Sequence, residues 1–201
     1  MPNPNRRLIA VILDRSGSML AVKDDTEGGL AAFLAEQHTN PAETLVSLYQ
    51  FSDSPEMLYE ALPLADVPSF TLRPSGMTAL FDAIGFGISR TTEHIDSLPD
   101  DDQPGEVTIV VLTDGQENRS RELTTIDSVR KLVEHQTGIG WRFIFLGAAP
   151  DTFTVAGGLG FDRASTLHYG TASTKETLTR AGRATSTGER FTDDDRNATR
   201  H

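Results

Sequence analysis

The run Val107-Thr108-Ile109-Val110-Val111-Leu112 constrains this chain more than any other segment. A strand with one wet face alternates apolar and polar residues. A strand without that alternation is covered on both faces, which happens in parallel sheets flanked by helices. Three further runs share the pattern: Leu8 to Leu13, Leu45 to Phe51 and Trp141 to Leu146. Met57 to Leu62 is more mixed and follows the preceding run through Ser52-Asp53-Ser54-Pro55, so it reads as an antiparallel edge hairpin. Ser165 to Tyr169 is a candidate for a last short strand.

Helical spacing fills the intervals. Leu30, Phe33, Leu34 and Gln37 share one face, as do Leu80, Ala83, Ile84 and Ile88. Ile126, Val129 and Lys131-Leu132-Val133 predict a third helix, capped by Thr125 or Thr124. Thr152 to Ala156 predicts a short helix, and Ser173 to Thr185 carries Leu178 and Ala181 on an otherwise polar one. Strands alternating with helices imply an α/β architecture with right-handed crossovers and helices on both faces. A chain of 201 residues suits one such domain. The stretch from Gly188 to His201 is polar and charged and reads as a disordered tail, leaving a domain over 1–187.

Net charge narrows the partners. At -11, the chain lacks the basic surface that displaces counterions from nucleic acid. No stretch approaches 18 apolar residues, and Leu8 to Leu13 is too short for a signal segment, so no membrane role is expected. With no cysteine, disulfide and thiolate chemistry are excluded. A cytoplasmic protein is expected, and the Asn197-Ala198-Thr199 triplet is then not read as a glycan acceptor.

In open parallel sheets, ligands bind at the carboxyl ends of strands near the switch in strand order. Three sequence features fall there. The first strand ends in Asp14-Arg15-Ser16-Gly17-Ser18, and the Val107 strand ends in Thr113-Asp114-Gly115. The loop Pro74-Ser75-Gly76-Met77-Thr78 opens the helix containing Leu80. Taken singly, each has a plainer reading: Ser16 or Thr78 as a helix cap, Asp114-Gly115 as a turn. Taken together they bring two carboxylates and three hydroxyls to one crevice. Hard oxygen donors with room left for water describe an octahedral magnesium or manganese site. Asp82, one helical turn beyond Thr78, is placed either as an acceptor for a ligand hydroxyl or as a solvated or capping carboxylate. Arg15 and Met19 are expected on the rim.

These motifs resemble the metal-ion-dependent adhesion site of von Willebrand factor A domains. The resemblance is carried by Asp14-x-Ser16-x-Ser18, by Gly76-Met77-Thr78-Ala79-Leu80-Phe81-Asp82-Ala83-Ile84 and by Leu112-Thr113-Asp114-Gly115, and it spans roughly Arg7 to Thr187. It looks especially like the small stand-alone bacterial and phage members. What it implies is a doubly wound, mostly parallel six-stranded sheet with one antiparallel edge strand. It also implies Mg2+ or Mn2+ held by Asp14, Ser16, Ser18, Thr78 and Asp114, with a position left open for an acidic side chain of a partner protein. Two other functions compete. In a structural subunit of a larger assembly the metal would matter little. A metal-dependent hydrolase is disfavoured, because a dehalogenase-type site needs Asp where Ser16 stands, no Gly-x-Ser-x-Gly elbow surrounds Ser16 or Ser18, and no histidine is evidently paired with either serine.

Overall fold

The computed structural model describes residues 1–200. Six strands form one sheet: β1 (Asn3–Asp14), β2 (Glu43–Phe51), β3 (Pro55–Pro63), β4 (Pro104–Thr113), β5 (Arg142–Gly147) and β6 (Thr166–His168). Their spatial order is β3-β2-β1-β4-β5-β6. Only β3 runs antiparallel to its neighbour; the remaining pairings are parallel. Six α-helices accompany them: α1 (Lys23–Gln37), α2 (Leu80–Asp96), α3 (Ile126–Gly138), α4 (Thr152–Gly158), α5 (Thr174–Thr187) and α6 (Asp193–Ala198). Thr125 accepts from the Ser128 backbone N–H and so caps α3.

Strand pleating sorts the core into two layers. Ile9, Val11 and Leu13 of β1 pack with Leu30 and Phe33 of α1 and with Leu178 and Ala181 of α5. The alternate residues Ala10 and Ile12 pack with α2, α3 and α4 through Ile84, Val129 and Ala156. The central strands therefore have no polar face to show, and their sequences carry none. On the first layer α1 and α5 approach closely at glycines: a Cβ on Gly182 would stand 2.8 Å from the Phe33 Cα and 2.9 Å from its carbonyl oxygen. Arg7, almost fully buried, donates to Thr44, to the Gln37 side chain and to the carbonyls of Thr185 and Ser186, holding the end of α5.

The segment after α5 departs from the expected disordered tail. Phe191 is buried and its N–H donates to the Ala164 carbonyl. Thr192 and Asp195 form a capping box that starts α6, and Arg180 of α5 bonds Asp195 at 2.8 Å. Thr199 is fully buried, donates its hydroxyl to the His168 carbonyl at 2.8 Å and accepts from Gly170 N–H through its own carbonyl. Phe191, the Thr192–Asp195 box, the Arg180–Asp195 pair and the Thr199 bonds together hold this polar stretch beside β6, the edge strand. The final residue of the expected tail, His201, lies outside the described residues.

Candidate metal site at the sheet's switch point

From β1 the chain crosses to β2 on one side of the sheet, while β4 lies on the other. The carboxyl ends of β1 and β4 thus part above a crevice, the place where doubly wound sheets hold ligands. Asp14 is the last residue of β1, and Asp114 directly follows β4. Ser16 and Ser18 lie at the entry to a 3-10 turn, Gly17–Val22. That turn is tied to the third loop where Gly17 N–H donates to the Gly76 carbonyl at 3.1 Å. Gly76 has φ +76°, a left-handed conformation that glycine adopts without the strain a Cβ would bring.

Four of the five expected ligands form one hydrogen-bonded chain. Asp14 Oδ1 accepts from Ser16 N–H at 2.7 Å, Ser16 Oγ lies 3.0 Å from Ser18 Oγ, and Ser18 Oγ donates to Asp114 Oδ1 at 2.7 Å. The other oxygen of Asp14 accepts from Thr113 Oγ1 at 2.6 Å. Thr78 enters beside Gly115: a Cβ on that glycine would stand 3.0 Å from Thr78 Oγ1 and 3.8 Å from Asp14 Oδ2. Both oxygens therefore border the space that glycine leaves free. Asp14, Ser16 and Thr78 are buried, Asp114 is half-buried and Ser18 is exposed, so the crevice has a dry floor and an open mouth.

The electrostatics suit a cation. Burial pushes the Asp14 carboxyl up from its ordinary 3.8 to about 6, against the hydrogen bonds from Thr113 and Ser16, and the neighbouring Asp114 charge raises it further. Burial raises Asp114 too, with the Ser18 hydroxyl opposing. Burial is the leading cause of the shift at both carboxylates. Arg15 points elsewhere, bonding Glu56 at 3.0 Å and Ser75 at 2.7 Å. Among the described residues no cluster of three or more His, Asp or Glu gathers as a metal cage. A cation in this crevice would be held by two carboxylates, which match a charge of +2, and by neutral hydroxyls. That donor set fits a hard divalent ion.

Solved structures with the same architecture were found. Proximal thread matrix protein 1 from the mussel byssus, solved with a zinc-occupied adhesion-site motif, superposes with TM-score 0.63 at 14% identity, covering 90% of this chain and 46% of that one. A von Willebrand factor type A protein from Catenulispora acidiphila gives TM-score 0.58 at 13% identity over 90% of this chain and 43% of that one. This is a von Willebrand factor A fold. The ArnB paralog VWA2 from Sulfolobus acidocaldarius shares it, with TM-score 0.55 at 19% identity over 89% of this chain and 45% of that one. The present von Willebrand factor A fold thus spans less than half the length of each of these solved chains. No protein-family profile and no curated protein matches the sequence.

One expectation around the site needs correction, and two open readings are decided. Met19 is fully buried in the layer beneath α1; the exposed neighbour is Leu20. Thr78 does not cap α2, whose first turn lacks a side-chain cap from the preceding residue. Asp82 takes no ligand hydroxyl; its carboxylate gathers the backbone N–H groups of Arg121, Glu122 and Leu123 at 2.7, 3.0 and 2.8 Å. Sequence reasoning missed Glu117, Asn118 and Ser120, which bond the start of α2. Their signal was a polar run directly after Thr113-Asp114-Gly115, without hydrophobic periodicity to place it.

Proposed function

We propose that this domain is a divalent-metal-dependent protein-binding module. Asp14, Ser16, Ser18, Thr78 and Asp114 hold Mg2+ or Mn2+, and the ion takes an acidic side chain of a partner protein as a further ligand. The observation that carries this reading is the meeting of the buried Asp14 and the half-buried Asp114 carboxylates with three hydroxyls at the switch point. The ion reverses the local charge of a protein whose net charge of -11 repels acidic partners. Exposed apolar residues lie close in sequence to the candidate ligands: Leu20, 68% exposed, two residues after Ser18, and Met77, 42% exposed, directly before Thr78. Apolar anchors around a polar centre are what protein interfaces use. Ser16 and Ser18 bond one another and Asp114, and no histidine, which supports binding over nucleophilic chemistry.

The test is capture of a partner from source lysate on immobilised domain with magnesium, with chelator, and with Asp14→Ala. Binding that needs both the ion and Asp14, and that moderate salt leaves intact, supports the bridge. Binding indifferent to chelator favours a structural docking subunit, and a steep loss with salt points to nucleic acid.

A further inference from the structure

The stretch 117–123 is bonded along the start of α2 far more densely than a loop between β4 and α3 requires. Seven hydrogen bonds cross from it to residues 78–82. Asn118 and Thr78 bond reciprocally: Asn118 N–H donates to the Thr78 carbonyl at 3.0 Å, and Thr78 N–H donates to Asn118 Oδ1 at 2.9 Å. Glu117 Oε2 accepts from Phe81 N–H at 2.9 Å and from Ser120 Oγ at 2.7 Å, and its other oxygen accepts from the N–H groups of Arg119 and Ser120. Ser120 Oγ in turn accepts from Asp82 N–H at 3.0 Å. Leu123 packs against Gly85 one turn on.

The free N–H groups that open α2 are thus met by side chains from the strand-β4 loop, with the Glu117 carboxylate at the positive end of the helix. This loop begins at Asp114, and only Gly115 and Gln116 separate that ligand from Glu117. The geometry points to Asn118 and Glu117 as positioning residues for the metal site. Asn118 ties the Thr78 backbone on both its N–H and its carbonyl to the loop that carries Asp114, and Glu117 ties the Phe81 N–H three residues on to the same loop. The two ligands that come from outside the first motif are thereby set against each other before an ion arrives. Resting on the metal reading above, this assigns the pre-organisation of the five-oxygen set to residues that touch no ion. A side chain that orients a ligand in this way changes metal affinity by roughly 10–100-fold when removed.

The experiment measures Mn2+ affinity by calorimetry on the full chain, thermal unfolding in chelator, and amide exchange at Thr78. Asn118→Ala is expected to weaken Mn2+ binding at least tenfold and to speed exchange at Thr78. Asn118→Asp, which keeps the oxygen acceptor, is expected to restore both to within about threefold. A purely structural role would lower the melting temperature and leave the affinity of the folded fraction unchanged, and that result overturns the proposal. So does an alanine variant that binds Mn2+ like the parent, or an aspartate variant that fails as badly as alanine. Absence of Mn2+ binding by the parent chain sinks the metal reading itself and this inference with it, whereas normal parent binding with an inert position 118 sinks this inference alone.

Discussion

Replacing Asp14 by asparagine should make the metal-free domain more stable near neutral pH while destroying its affinity for the ion. Asp14 is fully buried, and its carboxyl titrates at about 6 rather than 3.8. The folded state therefore binds this proton more tightly than the unfolded chain does. Stability from this group is present below the unfolded value, near pH 4, and is lost as pH rises through about 6. A displacement of about two units, at about 1.4 kcal/mol each, makes the loss roughly 3 kcal/mol above pH 7. The carboxamide of Asp14→Asn stays neutral: its oxygen can still accept from the Ser16 N–H, and its NH2 can donate to Thr113 Oγ1, whose hydroxyl also reaches the Gly115 carbonyl, so the variant escapes that loss. For a domain of this size the gain corresponds to roughly 6–12 °C in melting temperature. Thermal unfolding in chelator at pH 5 and pH 7.5 reads both effects: the parent should weaken between the two values more than the variant. Adding Mn2+ at pH 7.5 should stabilise the parent and leave the variant unmoved. An asparagine variant less stable than the parent at pH 7.5, with an unchanged pH slope, would show that the buried charge is not strained and that the reasoning fails.

Gly182→Ala should cost about 1–3 kcal/mol, measured by denaturant unfolding, because the added methyl meets the Phe33 backbone of α1 and not a movable side chain. Phe191→Ala should destabilise by about 3 kcal/mol and expose the segment after Gly188 to limited proteolysis, whereas a truly free tail would show neither change.

The centres of the strands were legible, because the interior strands are buried on both faces and hydrophobicity marks them, while their ends run further than the apolar runs. Val107 to Leu112 and Leu8 to Leu13 fall within β4 and β1, and the mixed composition of Met57 to Leu62 matches its place on the antiparallel edge. The three candidate motifs could be placed at the crevice for a related reason: each sits at the end of such a strand or the start of a helix, where chain direction sets its end of the sheet. What could not be read was how polar segments satisfy one another across the fold. Thr192 and Asp195 build their helix locally, yet the burial of Phe191, the Arg180–Asp195 pair and the bonds of Thr199 to His168 and Gly170 keep it on the domain. At Asp82 the sequence left a ligand-hydroxyl acceptor and a solvated or capping carboxylate both open, and the structure has it collect three N–H groups from a segment 39–41 residues distant. Hydrophobic burial follows the period of the local chain and is written into it. A hydrogen bond between distant polar groups depends on where the backbone has already been brought, so the sequence specified the donors and acceptors and only the tertiary structure decided their pairing.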